Sequence, residues 1–341
     1  MKRKGKIIIG TIVGAALIAA VGALGIWEYV TSPYEGDKPA WIYLPEGTST
    51  EALADSLSSS LGNRVGSRTF AIYKAAAKKG NNPHGAYRIE PGTPAKDIAR
   101  RIVRHHQTPV RVTFNNIRTL PQLAQRIASQ MEFTDSEFIE ALDSILPAAG
   151  FKGRDEYTAA FLPDTYEFYW TTPAGSTAQR LLKTRNEFWN DTRRRKASQL
   201  GITPVQAATL ASIAEEETNN RQERGKVARL YLNRVHKGMK LQADPTIKFA
   251  LGDFSLRRIK GNHLKVASPF NTYTNPGIPP GPIRVADART IDALLNSEPH
   301  NYIYMCAKED FSGTHNFASD YATHMANARR YQKALNARNI H

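Results

Sequence analysis

The sequence predicts an α+β protein behind a single N-terminal transmembrane helix. Three observations carry this. An uncharged run, IIIGTIVGAALIAAVGALGIW, fills residues 7–27. A strand, a Pro/Gly turn and a capped helix then follow one another twice within residues 41–102 and again, more loosely, over 110–127. Beyond residue 130, segments with helical periodicity alternate with short apolar, Pro-rich and Gly-rich stretches, the mixture of an α+β domain rather than of a bundle or a sandwich.

The N-terminal run of 21 residues would span ~31 Å as a helix, about the thickness of a bilayer core. It ends in Trp27 and Tyr29, side chains suited to the membrane–water interface. A secretory signal would have a shorter apolar region and a small-residue cleavage site. Residues 1–6 (MKRKGK) read as a cytoplasmic tail and 7–29 as an uncleaved anchor. Lys2, Arg3, Lys4 and Lys6 hold the N-terminus inside, which puts the rest of the chain outside the cytoplasmic membrane.

Residues 30–40 form a polar linker. WIYLPEGTSTEALADSL (41–57) reads as strand, Pro-Glu-Gly turn, Ser/Thr cap and helix. AYRIEPGTPAKDIARRI (86–102) repeats this with Thr93 as cap and Pro94 at the first helical position. A helix over 67–79 separates the two. VRVTFNNIRTLPQLAQRI (110–127) is the looser third copy. The first two units resemble a LysM-like module, the peptidoglycan-binding fold, over residues 41–113; a generic α+β spacer would have the same pattern. Residues 114–341 make the second, mixed α+β domain, with its core over 203–325. Within it, FTDSEFIEALDSI is a helix capped by Thr134 or Asp135. FLPDTYEFYW (161–170) either lines a groove or plugs a core, and 176–200 reads as a solvated helix with a basic face.

The chain has 341 residues and a formal net charge of +15, from 46 Lys and Arg against 31 Asp and Glu. This suits a polyanionic partner or a surface that works beside anionic lipid, and a generally basic proteome would leave the same excess. No zinc-finger spacing and no aromatic RNA-binding motif is present, and the anchor removes the chain from the cytoplasm, so no nucleic acid is expected. The single cysteine, Cys306, forms no internal disulfide and reads as a buried, inert thiol in the strand-like NYIYMCA. His315 and His324 lack a third ligand, and no P-loop, nucleophile elbow or HExxH is present, so no metal or cofactor is expected.

The chemistry concentrates around LASIAEEETNN, residues 210–220. Thr203-Pro204-Val205-Gln206 starts a helix: Thr as cap, Pro next, Gln three residues after the cap. On a wheel with Glu217 at zero, Leu210 falls near ~20°, Ile213 near ~−40° and Ala214 near ~60°, so Glu217 lies in the apolar stripe. Glu215 falls near ~160°, on the far side, and Glu216 near ~−100°. A carboxyl on a buried stripe is desolvated and its pKa rises, which prepares a general acid. A frayed last turn with three solvated acids would leave the same string. A second helix bears Val227, Leu230, Tyr231 and Val235 and ends at Gly238. LQADPT then reads as a polar turn, and SPFNTYTNPGIPPGPI as a loop whose Pro/Gly part, 276–282, forms a stiff wall.

ASIAEEET, ERGKVARLYLNRVHKGMKLQADPT, SPFNTYTNPGIPPGPI and GTHNFASDYATH, in that order, resemble the YceG-like endolytic peptidoglycan transglycosylases. FLPDT, the anchor and the LysM-like module agree with that family. The resemblance implies a lyase that cuts the glycan between N-acetylmuramic acid and N-acetylglucosamine without water, leaving 1,6-anhydro ends and limiting the length of nascent strands. It implies Glu217 as the catalytic acid, the residue the wheel selects. It implies peptidoglycan synthases as partners, besides the glycan strands and the cytoplasmic membrane. Gln242, Asp244, Asn271 and Tyr273 would position the sugars. Glu216 stands where the family often has Lys; its charge would raise the Glu217 pKa further. Two rivals stay open: a lysozyme-like hydrolase with Asp244 as second carboxylate, and a non-catalytic wall-binding scaffold. The wheel also expects Glu215→Gln to be nearly silent.

Residues 7–27 are expected to remain in the mature protein. N-terminal sequencing of purified protein tests this, and a first residue near 30 overturns it.

Overall fold

In the computed structural model the apolar run folds as one helix, α1 (Lys2–Val30). The structure describes residues 2–78 and 80–338, and for residues 2–10 the backbone only. Thr11–Val30 is long and apolar enough to cross a membrane, with mean hydropathy 1.8, and the fold buries none of it. The chain divides into two compact units: Met1–Arg111 with Gln130–Glu132 and Glu167–Thr172, and Val112–Ser129 with Phe133–Tyr166 and Pro173–His341.

In the first unit β1 (Ala40–Leu44) leads into α2 (Thr50–Leu61) and α3 (Asn63–Ala76), and β2 (Gly85–Ile89) into α4 (Ala95–Val103). The strands pair antiparallel, from Ala40↔Ile89 to Leu44↔Gly85. Alternation along β1 turns Ile42 and Leu44 inward, onto Leu53, Leu57, Ile98 and Ile102. Both strand–helix turns need a residue in the left-handed region, and glycine supplies it: Gly47 has φ 75° and Gly92 φ 83°. Ser49 caps α2 by accepting from the Ala52 N–H. The expected Thr93 cap is corrected. Pro94 is the N-cap of α4, and the Thr93 hydroxyl instead donates to the Glu90 carbonyl at 2.7 Å, closing the turn.

Strand β3 (Val110–Phe114) begins in the first unit and ends in the second. Then come α5 (Leu120–Ala128), α6 (Asp135–Ile145), α7 (Arg154–Tyr157), β4 (Asp164–Phe168), α8 (Ala174–Phe188), α9 (Asp191–Gln199) and α10 (Pro204–Glu217). They are followed by α11 (Arg224–His236), α12 (Asp244–Leu251), α13 (Ala288–Leu295), β5 (Tyr304–Ala307), β6 (His315–Ala318) and α14 (Tyr321–Ala337). β3 pairs with β4, and β5 with β6 in antiparallel register from Tyr304↔Ala318 to Ala307↔His315. Among the described residues three helices start with a full capping box: Thr119 with Gln122, Thr134 with Glu137, Thr203 with Gln206.

The expected solvated helix over 176–200 breaks in two. Trp189 is buried at the break, and Asn190 caps α9 by accepting from the Arg193 N–H. Its basic face is solvated in part, with Arg180, Lys183, Arg194 and Arg195 exposed, but Arg185 is buried, with Phe151 and Trp189 against its guanidinium, and Arg193 grips Asp292 through both carboxylate oxygens, at 2.7 and 2.8 Å. FLPDTYEFYW divides its roles, with Phe161 and Phe168 in cores and Tyr169 54% exposed. Cys306 is half-buried on β5 rather than fully enclosed.

Helix α10 is surrounded by α9, α11, α12 and α13, and every residue from Ala207 to Glu215 is buried. Ala, Ser and Thr along it let neighbours approach closely from all sides. Gly225 does the same for α11: a Cβ there would lie 2.5 Å from the Ala293 carbonyl oxygen of α13. Gly225→Ala must push these helices apart, and overpacking of this kind costs about 1–3 kcal/mol. A clear fall in melting temperature by circular dichroism is expected; an unchanged melting temperature refutes this close packing.

Candidate functional site

Helix α10 ends at Glu217, and the C-cap Thr218 returns its N–H to the Ala214 carbonyl. The last three side chains of the helix meet three different surroundings. Glu217 lies on the floor of a cleft of about 470 Å³ built from α11, the 241–244 segment, the 271–273 loop, β5 and the start of α14. Its Oε1 accepts a 2.7 Å hydrogen bond from the Tyr231 hydroxyl of α11. Burial raises the Glu217 pKa to about 7. The negative charge of Asp244 pushes the same way, while the Tyr231 hydrogen bond and the charges of His315 and Lys248 pull it down. A carboxyl poised near neutrality has both protonation states populated where the protein works, the requirement for giving and then taking a proton.

Glu215 contradicts the helical wheel. It is 5% exposed; its Oε1 accepts from the Asp287 N–H at 2.8 Å and its Oε2 lies 3.2 Å from Arg284 Nε. Burial raises its pKa against these partners. The wheel assumes one buried face, and α10 is buried on all of them. Glu216 is not a free charge beside Glu217 either. Arg118 holds it at 3.0 Å and Arg284 at 2.9 Å, so its charge is neutralised locally.

The other expected site residues divide. Gln242, Asp244 and Tyr273 line the Glu217 cleft. LQADPT is not only a turn: Asp244 is the first residue of α12, behind the N-cap Ala243. The Tyr273 hydroxyl donates to Asp244 Oδ1 at 2.6 Å, and burial, followed by Asp244, raises the phenol pKa. Gln242 has φ 53°, a left-handed conformation unusual for a side chain of its size. Its N–H donates to the Thr272 carbonyl and its Oε1 accepts from Arg234 at 2.6 Å.

Asn271 does not reach the cleft. It is 0% exposed, its amide donates to the Leu264 and Val266 carbonyls at 2.9 Å each, and its Oδ1 accepts from the Tyr273 N–H. It shapes the loop that presents Tyr273, and a direct contact with sugar is ruled out by burial. The Pro/Gly loop also lies elsewhere. Ile278, Pro279 and Pro280 line a separate pocket with Thr203 and Gln206, at the start of α10. The Ile283 N–H, just beyond the loop, donates to Ser212 on the helix.

Several residues of the cleft were not singled out as site residues from the sequence. Tyr231 shows only as an apolar position of α11, and Arg234, one turn on, as one of 46 basic residues. Buried Arg234 ties the cleft wall together, donating to the Lys240 and Ile303 carbonyls at 2.9 Å each as well as to Gln242. Tyr304, Tyr321 and His324 form an aromatic wall, with the His324 and Tyr304 rings stacked at 5.0 Å. His315 faces a carboxylate: Glu223 takes both its backbone N–H, at 3.0 Å, and its Nδ1, at 2.9 Å.

The YceG-like family model matches residues 42–330. Over 310 residues the chain is 25% identical to the endolytic murein transglycosylase of Bacillus subtilis, with 85% of each chain covered. The protein of the same name from Streptococcus pneumoniae is 22% identical over 340 residues; the match covers 88% of this chain but 60% of that longer one. The crystal structure of a YceG-like protein from Listeria monocytogenes has a similar fold, with a TM-score of 0.55 at 23% identity over 85% of this chain and 99% of that one.

Glu215→Gln is expected to destabilise the protein instead of being silent. It keeps an acceptor for the Asp287 N–H but leaves Arg284 with Glu216 as its remaining carboxylate, at a cost of about 1–3 kcal/mol. Denaturant unfolding measures this, and a midpoint equal to that of the unaltered protein sinks it.

Proposed function

The chain belongs to the YceG-like family, and on that premise we propose that it is an endolytic murein transglycosylase with Glu217 as its single catalytic acid–base. The observation that carries this reading is the Glu217 carboxyl, raised to about 7 on the floor of an open cleft. The protonated form gives its proton to the glycosidic oxygen between N-acetylmuramic acid and N-acetylglucosamine. The muramoyl 6-hydroxyl then attacks its own anomeric carbon, and the Glu217 carboxylate takes the hydroxyl proton, leaving a 1,6-anhydro end. The attacking group is part of the substrate, so no water has to be ordered and no second carboxylate is needed. The Tyr231 hydroxyl, at 2.7 Å, steadies the carboxylate between the two proton transfers. Gln242, Asp244 and Tyr273 at the rim, with the Tyr304–His324 wall, offer hydroxyl partners and ring faces to the sugars.

Helix α1 supports a membrane setting. Its Thr11–Val30 stretch would anchor the protein, with Lys2, Arg3, Lys4 and Lys6 on the cytoplasmic side and both compact units outside. From there the enzyme would cut nascent strands close to the membrane, set their length and work beside peptidoglycan synthases. The first unit, with its β-α-α-β order, would hold glycan as a LysM-like module. Asp244 keeps a hydrolytic reading in view because it lines the same cleft, and product mass separates the two: hydrolysis adds one water per cut, transglycosylation none.

Glu217→Gln, which cannot cycle a proton, is expected to lower release of anhydro-ended fragments by about 10²–10⁴. Activity of the unaltered enzyme should fall as pH rises through about 7, because the protonated acid performs the first step. Tyr231→Phe removes a bond that favours the carboxylate and moves this limb to higher pH. Asp244→Asn removes a repelling charge and moves it to lower pH. Mass spectrometry of the fragments and pH–rate profiles read all of this. A folded Glu217→Gln with full activity, or fragments one water heavier, would refute the assignment.

A further inference from the structure

Two residues before Glu217, Glu215 lines the wall of a second cavity, of about 460 Å³, that does not share residues with the catalytic cleft. Four guanidinium groups surround it, those of Arg221, Arg224, Arg284 and Arg289. Three carboxylates share the lining, Asp164, Glu215 and Asp287. Glu215 and Asp287 are already taken: Arg284 sits against Glu215 at 3.2 Å, and Arg289 grips Asp287 at 2.7 and 3.1 Å. Arg284 is held further by Glu216. Asp164, at the exposed surface, accepts the Thr165 N–H. Among the described residues, Arg221 and Arg224 make no ion pair; Arg224 Nε reaches only the Thr218 carbonyl, at 3.3 Å. Asn115 and Asn116 add two exposed side-chain amides to the same lining.

Two unpaired arginines beside two amide donors, in a cavity of polar walls, match the planar or tetrahedral oxygens of a carboxylate or phosphate. We infer that this cavity binds an oxyanion carried by the substrate, with Arg221 and Arg224 as its charged contacts and Asn115 and Asn116 as its neutral donors. This rests on the proposed action on murein, whose strands bear carboxylates on their peptides and, when nascent, a diphosphate link to lipid. Either group, held on the other side of the end of α10, would register the strand against Glu217. It would also give the basic chain a defined use for part of its charge.

The experiment uses the full chain in detergent, as Glu217→Gln so that nothing is cut. Two small probes are titrated by calorimetry: inorganic pyrophosphate and N-acetyl-alanyl-glutamate. Saturable binding of either supports the site, and the tighter probe tells diphosphate from carboxylate. Binding should weaken at least ~10-fold in Arg221→Ala/Arg224→Ala, where the bidentate contacts are lost. Asn115→Asp, a surface change that puts a negative charge into the cavity, should weaken it as well. Absence of saturable binding by both probes, or affinities unmoved by these variants, overturns the inference. Glycan strands with and without their peptides are then compared on the same proteins. If probes bind but no strand does, the murein reading falls and the anion site stands. If strands bind but the probes do not, the anion site falls and the murein reading stands.

Discussion

A helix buried on every side that ends in three carboxylates is the constraint around which the second unit is organised. From Ala207 to Glu215 helix α10 has no solvent face. Ionised groups at its end therefore cost several kcal/mol each unless the neighbours supply partners. The neighbours supply them in three ways. Glu215 receives a backbone N–H and an arginine, Glu216 two arginines, and Glu217 a single neutral phenol. The first two are neutralised structural groups. Among the described residues Glu217 has no arginine or lysine within ion-pair distance, and its close partner is the Tyr231 phenol.

This division explains why the surrounding elements are where they are. Arg284 bridges Glu215 and Glu216, which ties the segment before α13 to the end of α10. Ser212 and the Ile283 N–H fasten the same segment one turn earlier. On the other side, α11 approaches closely because Gly225 lets it pack on α13, and it brings Tyr231 to Glu217 and Arg234 to the cleft wall. Buried Thr246, Thr272 and the Ala243 N–H bind one another under the rim, so the unusual backbone at Gln242 and the position of Asp244 are held from below.

The acidity of Glu217 is a balance rather than the product of one cause. Burial and Asp244 favour the protonated form; Tyr231, His315 and Lys248 favour the carboxylate. In the proposed reaction a group fully committed to either side would serve one proton transfer and fail the other. Asp244 is itself engaged by Tyr273, and His315 by Glu223. Two of the groups that shift Glu217 are thus themselves held, Asp244 by a phenol of the cleft rim and His315 by a carboxylate outside the lining.

Local chemistry made much of this legible in the sequence. Thr203, Pro204 and Gln206 determine where α10 starts because a capping box is satisfied within four residues. Pro-Glu-Gly and Glu-Pro-Gly specify their turns because only the glycine adopts the left-handed backbone at little cost. The apolar run up to Tyr29 specifies a helix of membrane-spanning length by composition alone. The wheel set Glu217 beside Leu210, Ile213 and Ala214, all of them buried, but it put Glu215 on a far side that is buried as well. Periodicity reports which side chains share a face; it cannot report how many faces are covered. That depends on α9, α11, α12 and α13, which come from distant parts of the chain. For the same reason Asn271 read as a sugar partner and is buried as a support of its loop, while Tyr231 read as core and hydrogen-bonds Glu217. Residue type and spacing determined that an acid would stand at the end of this helix. Only packing between segments far apart in the chain decided which of the three carboxylates met arginines and which met a phenol.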